Sequence, residues 1–189
     1  MRPDDDSRFE VAISGQLESG SFLSSLRSST LAFKIVSPNP DSWCIISGKT
    51  SGMTPKASSS VNEFVWNYPI ACAFSTDTPM GWPRLVVSVF TTDWKGRDIV
   101  FGYGVIPIPS QPGRHVREIK LFTPAASSWW TVVSGWLLGH RPTLLDPETF
   151  LTNPNEGIST VMMTPREGSI TVNFIIGIKC PDHLNLRFC

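Results

Sequence analysis

Strand-like runs recur along most of this chain, each bounded by glycine, proline, asparagine or aspartate. In RFEVAISGQLES, residues 8–19, the apolar Phe9, Val11 and Ile13 alternate with small or polar side chains. Such alternation is typical of a strand with one buried face. Similar runs follow: LAFKIVS, SWCIISG, NEFVWNYPIACAFS, PRLVVSVFTT, IVFGYGVIPIP, HVREIKLFT and SITVNFIIGIK. About eight short strands separated by turns predict an all-β fold, an antiparallel β-sandwich.

The run PRLVVSVFTT, residues 83–92, is apolar on both faces, because Val86 alternates with Val87 and Val89. A strand that is apolar on both sides is covered on both sides. The second sheet is expected to pack on one face of this strand, and a helix or a partner protein on the other. Trp82 lies in the preceding turn and is interpreted as an anchor of the core or loop. The polar segment 48–60 is predicted to be a mobile loop.

Residues 125–157 resist assignment to strands. Trp129, Val133 and Trp136 recur at i, i+4 and i+7, which is the spacing of one helical face. This predicts a short helical insertion before the last strand, packed on the sandwich. Its uncharged stretch is too short and too interrupted by proline, serine and glycine to favour a membrane span.

The tryptophans of this helix are predicted to differ in role. Trp136 shares a face with Trp129 and is expected to pack inward. Trp130 points about 100° away from Trp129, so Trp130, Leu138 and Arg141 are predicted to contact a partner.

Composition excludes several functions. The 16 basic and 16 acidic residues balance, whereas nucleic-acid binding usually needs a basic field. The four cysteines are widely spaced and predict reduced thiols, with Cys72 in a core strand. No nucleophile motif or phosphate loop occurs, so neither catalysis nor a small-molecule substrate is expected. Gly102 and Gly104 are interpreted as strand glycines that mark a bulge or close packing.

Several motifs together resemble the B9-domain family, a group with a C2-like fold. They are VWNYPI, GWPRLVVSVF, the spaced run DxxGRDIVFGYG, PGRH, and SGWLLGHRP followed by DP. The resemblance covers roughly residues 8–180. It predicts one C2-like domain there, with a flexible N-terminus at 1–7 and a tail at 181–189. Trp66, Trp82, Gly102, Gly104 and Trp136 are assigned structural roles.

The resemblance implies a non-enzymatic protein without cofactors. Family members are found in the cytoplasm and cytoskeleton, at the ciliary basal body and transition zone. There they associate with other B9-domain proteins and with components of the Meckel-syndrome and tectonic complex. The implied function is support of ciliogenesis and of the ciliary gate.

C2 domains often bind calcium through carboxylates on two neighbouring loops, since the ion takes six to eight oxygen ligands. The resemblance places Thr91 where the first aspartate should stand, and Asp93 and Asp98 at later acidic positions. The second loop offers only Glu18. The sequence therefore predicts a degenerate site that holds no metal.

An alternative function is a peripheral membrane module that binds phospholipid through its loops. This requires a basic patch near the loop tips. The candidate residues are Lys95, Arg97, Arg114, Arg117 and Lys120. Exposed lysines and arginines are ordinary on strands, so the assembly function is favoured.

Overall fold

The computed structural model describes residues 8–22, 26, 28–59, 63–93, 95–124 and 163–180. This part of the chain is built from antiparallel strands without a helix, which confirms the all-β prediction. The helix predicted before the last strand lies outside these residues, as do the predicted N-terminal and C-terminal segments. The strands are β1 (Phe9–Ser21), β2 (Ser28–Val36), β3 (Cys44–Gly48), β4 (Ser51–Met53), β5 (Ala57–Ser58), β6 (Glu63–Thr76), β7 (Arg84–Thr92), β8 (Asp98–Pro107), β9 (Gly113–Pro124) and β10 (Met163–Lys179).

The strands form two layers that are joined at one point. One layer has the order β3-β6-β1-β10-β9, and the other has the order β8-β7-β2-β4, with β5 also paired to β2. In the described residues, Tyr103 and Phe122 are the one registered pair between β8 and β9. The two layers therefore face each other as a sandwich, with the join between β8 and β9.

Alternation along the strands fills the space between the layers. Val11, Ile13 and Leu17 of β1 are buried between the layers from one side, and Leu85 and Val87 of β7 are buried there from the other. All five belong to one core cluster. Each fully buried side chain of this size contributes about 1.5–3 kcal/mol through the hydrophobic effect.

The strand β7 is buried on both faces, as its sequence predicts. Val86 points away from the central core and is only 3% exposed. It forms a second small cluster with the equally buried Tyr103 of β8. The layer β8-β7-β2 is therefore apolar on part of its outer side as well.

The prediction of a mobile loop at 48–60 is wrong for its described part. Ser51–Met53 pairs with β2 as β4, and Ala57–Ser58 pairs with β2 as β5. Buried Thr54 fixes the connection, because its N–H donates to the carbonyl of Leu31 at 2.8 Å and its Oγ1 accepts from Leu31 N–H at 3.0 Å. Short polar segments are common as edge strands, where one side of the strand remains exposed to solvent.

The cysteines differ in state. Cys72 is a free thiol in the core strand β6, where burial raises its pKa to about 11. Cys44 is free and exposed, whereas Cys180 is disulfide-bonded. The expectation of reduced thiols is wrong for Cys180, because sequence spacing does not reveal which cysteines the fold brings together.

Candidate functional site

The degenerate calcium positions are occupied by interactions within the protein. Thr91 is buried in β7, and its Oγ1 donates to the carbonyl of Ser28 at 2.8 Å. Asp93 Oδ1 accepts from the backbone N–H groups of Lys95 and Arg97 at 2.8 and 2.9 Å. Its Oδ2 lies 2.8 Å from Arg97 Nη2. The Arg97 backbone N–H, followed by the Arg97 side chain and the Lys95 N–H, holds the Asp93 pKa below its usual value.

The other acids are also committed to neighbouring groups. Asp98 Oδ1 accepts from Thr92 Oγ1 at 3.2 Å and lies 3.6 Å from Lys56 Nζ. Glu18 Oε1 accepts from the side-chain amide of Asn173 at 3.2 Å. No group of three or more metal-ligating side chains is found within the described parts of the chain. The acids near the β7–β8 turn thus serve the turn and its flanking strands.

Calorimetric titration with micromolar calcium is expected to give no saturable heat for the wild-type chain. Asp93→Asn should instead lower stability slightly, since the Asp93 carboxylate stabilises its own turn. A carboxyl whose folded pKa is depressed stabilises the fold above its unfolded pKa and loses this contribution as pH falls through the folded pKa. The stability gap between wild type and Asp93→Asn should therefore close in acid. Tight calcium binding that Asp93→Asn abolishes would contradict this prediction.

The basic residues proposed for lipid contact are divided between two ends of the sandwich. Lys95 and Arg97 lie in the turn before β8, whereas Arg114 and Arg117 lie near the start of β9, past the other end of β8. The ten residues of β8 span roughly 30 Å at about 3.3 Å per residue. Lys120 lies further along β9 and is exposed. These residues do not form one basic patch.

Two of the tryptophans assigned structural roles anchor opposite ends of the core. Trp66 stacks on Phe64 with ring centroids 6.4 Å apart, and its Nε1 donates to the carbonyl of Ser29 at 3.3 Å. Trp82 packs edge-on against Trp43 at 5.5 Å, and its Nε1 donates to the carbonyl of Ile108 at 2.7 Å. Both indoles are only partly exposed, so they join strands to loops.

The two glycines of β8 lie at a close packing contact and at a bulge. A Cβ at Gly104 would stand 2.5 Å from Cγ2 of Ile119 and 3.0 Å from Cγ2 of Val87. Gly102 follows the extra residue of a bulge, since Val89 pairs with Gly102 while Phe90 pairs with Val100. Close packing and a bulge thus occur side by side in this strand.

The outer side of the five-stranded layer carries unusually small side chains. One row across the sheet places Ala12 of β1 between Ala73 of β6 and Gly177 of β10. The next row places Ser14 between Ala71 and Ile175. We call this surface, on β6, β1, β10 and β9, the outer face. A solvent-facing sheet surface usually alternates polar residues with the buried ones.

Exposed aliphatic side chains stand on the outer face among these small residues. Ile175 is 51% exposed, and Val116 of β9 is 55% exposed. A hydrogen-bonded polar group borders them: Arg114 Nε donates to Asn173 Oδ1 at 3.2 Å, and Asn173 donates to Glu18. This polar border lies directly beside the aliphatic side chains, with Arg114 opposite Ile175 and Asn173 opposite Val116 in the register, and such a mixture is typical of protein contact surfaces.

Sequence reasoning missed this surface. The alternation of β1 already assigns Ala12 and Ser14 to the outward side, and the doublet Ile175–Ile176 places one isoleucine on each face. Recognising a continuous patch also requires the strand order β6-β1-β10-β9, which is a tertiary property. The partner-contact residues Trp130, Leu138 and Arg141, and the structural Trp136, lie outside the described residues.

Helices capable of spanning a bilayer are not found in the part of the chain that the structure describes.

Comparison with known proteins gives one family. A family model described as "Ciliary basal body-associated, B9 protein" matches residues 11–176. B9 domain-containing protein 1 of Xenopus laevis is 33% identical over 174 residues, covering 90% of this chain and 85% of the relative. B9 domain-containing protein 2 of Mus musculus is 32% identical over 108 residues, covering 57% of this chain and 61% of the relative. Among solved structures, a C2 domain of plant Extended Synaptotagmin 1 aligns with TM-score 0.44 and 12% identity, covering 97% of this chain and all of that one.

Proposed function

Because this chain belongs to the B9 family of ciliary basal body-associated proteins, we propose that it is a non-enzymatic component of the ciliary transition-zone complex. In this role it assembles with other B9-domain proteins and with membrane proteins of the Meckel-syndrome and tectonic complex. The assembly supports ciliogenesis and the ciliary gate from the cytoplasmic, cytoskeletal side. The observation that carries the proposal is the apolar outer face centred on Ile175.

The outer face has the size and shape that a sheet-to-sheet contact requires. Strands lie about 4.8 Å apart, so the four strands of the outer face are together roughly 20 Å wide, and a 12-residue strand is about 40 Å long. The product, about 800 Å², matches what each partner buries in a typical stable protein complex. The small side chains of Ala12, Ala71 and Gly177 let a second sheet approach closely, and packed sheets lie about 10 Å apart.

The similarity to relatives favours a second B9 domain as the partner that binds the outer face. The mouse relative B9 domain-containing protein 2 is similar over 57% of this chain, so a common surface would allow homologous faces to meet. The polar border of Arg114, Asn173 and Glu18 would then set the orientation, since rim charges govern specificity more than affinity. The lipid-binding alternative has less support, because its basic residues fall at two ends.

Ile175→Glu is expected to abolish co-purification of other B9-domain proteins from ciliated cells and to disperse the tagged protein from the transition zone. The new carboxylate would lie opposite Arg114 in the register, but removing a charge from water at an interface still costs about 2 kcal/mol or more, which is roughly a thirtyfold loss of affinity. The measurement is affinity purification together with imaging of the tagged protein.

Met80→Glu is the matched control, because Met80 is 68% exposed and lies in the loop before β7. It receives the same charge and should bind and localise normally. Thermal unfolding of both purified variants checks that the fold is intact. If Ile175→Glu is folded and assembles as well as Met80→Glu, the outer face is not the contact.

A further inference from the structure

The two layers of the sandwich separate between β8 and β9 and leave a cleft. From the pair Tyr103–Phe122, the strands diverge toward the connection at 108–112. The opening has a volume of about 740 Å³. Trp82 and Ile106 contribute apolar surface to it, and His115 and Arg117 of β9 lie on the opposite wall.

Both strands that flank the cleft turn an open edge toward it. On its other side β8 pairs with β7, and β9 pairs with β10 along its length. Within the described residues, neither 104–107 nor 113–121 has a ladder partner on the cleft side. An open edge presents a row of N–H and C=O groups that can pair with an added strand. Proline lacks the N–H donor, so Pro107 weakens the β8 edge and favours β9.

The charge of the cleft selects the occupant. Arg117 is exposed and has no ion-pair partner among the residues described, and no carboxylate is among the residues lining the cleft. His115 Nε2 lies 2.9 Å from the carbonyl of Gln111, which fixes the ring on the same wall. The indole N–H of Trp82 is already bonded to Ile108, so Trp82 offers the cleft mainly apolar surface.

We propose that this cleft binds an extended acidic segment of a partner protein, which adds to β9 as a further strand. On the side of the added strand that faces the cleft, carboxylates meet Arg117 and their aliphatic stems pack over Trp82 and Ile106, whereas the alternate side chains point away from the cleft. A phospholipid headgroup would use the arginine alone, whereas an extended peptide also uses the open edge and the apolar wall. The cleft is separate from the outer face, so this proposal does not depend on the assembly surface.

The test uses the full chain and a fluorescein-labelled octapeptide of alternating glutamate and valine, measured by fluorescence anisotropy. Saturable binding is expected for this peptide and not for the same peptide with lysine in place of glutamate. Arg117→Glu should weaken binding about tenfold, the effect of roughly 1.4 kcal/mol from reversing one charge. Lys120→Glu is the control: it lies on β9 but on the opposite face, and should change binding less than about twofold.

Two further measurements separate strand addition from simple charge attraction. Peptides methylated on alternate backbone nitrogens lose the donors of one edge, so one of the two methylation patterns should abolish binding. Insensitivity to both patterns, equal binding of the lysine peptide, or equal effects of Arg117→Glu and Lys120→Glu would overturn the proposal. So would an Arg117-dependent affinity for phosphatidylserine vesicles combined with no peptide binding, which would assign the cleft to lipid.

Discussion

Gly15→Ala is expected to lower the free energy of unfolding by about 3–5 kcal/mol, although it adds only one methyl group. Gly15 lies in the middle of β1, between Ile70 of β6 and Phe174 of β10. Its φ of +150° is a backbone conformation that favours glycine. An added Cβ would overlap the carbonyl oxygen of Asn173 and stand 2.9 Å from its carbonyl carbon. Backbone strain and forced overlap each cost about 1–3 kcal/mol.

Gly177→Ala provides the matched control on the neighbouring strand β10. Gly177 pairs with Ala12 of β1, and its added Cβ would meet only the Ala12 Cβ, at 3.7 Å. Alanine there should be neutral or slightly stabilising, because it reduces the freedom of the unfolded chain. Urea unfolding followed by circular dichroism measures both variants. If the two substitutions lowered the free energy of unfolding by similar amounts, the backbone conformation and close contacts of Gly15 would not be the cause of its loss.

The sequence predicted the strands because burial imposes a visible period on them. Val11 and Ile13 face the core, and Val87 and Val89 do the same in β7. Even the double burial of β7 could be predicted, since Val86 breaks the expected alternation. These are local consequences of one strand facing one layer, so a single stretch of sequence contains them.

The surfaces could not be predicted because they depend on which strands are neighbours. Ala12 and Gly177 are far apart in the sequence, and only the pairing of β1 with β10 turns them into one flat patch. The strands β8 and β9 are consecutive in sequence, but within the described residues they are in register only at Tyr103–Phe122. The cleft arises because the rest of the two strands does not pair. The strands β4 and β5 were missed for a related reason: their polar sequences become strands by pairing with β2.

Strand β9 connects the two proposed contact surfaces. Successive side chains of a strand point to opposite faces, and Arg114 joins the polar border of the outer face while Arg117 lines the cleft. A partner sheet and an extended segment could therefore be bound at the same time, from opposite sides of one strand. Arg117→Glu and Ile175→Glu should accordingly affect different partners, and their separate effects would distinguish the two proposals.

Phe101→Ala is expected to lower the free energy of unfolding by about 3–5 kcal/mol, the range for truncating a buried phenylalanine. Phe101 is the extra residue of the β8 bulge and is only 1% exposed. The bulge directs its ring into the core, where its centroid lies 5.2 Å from that of Phe22. The Arg166 guanidinium lies 4.3 Å from the centroid of the Phe101 ring. Alanine would remove the ring contacts and leave a cavity.

Two comparisons assign this loss to the bulge. Phe90 lies on β7 opposite Val100 and is half-buried, so Phe90→Ala should cost clearly less, about 1–2 kcal/mol. Phe101→Leu keeps most of the apolar volume but removes the aromatic and cation–π contacts, and should fall between the two alanine variants. Urea unfolding of the three proteins gives the order. If Phe101→Ala cost no more than Phe90→Ala, the bulge would not be placing Phe101 in the core, and its extra residue would serve only to bend the strand toward the cleft.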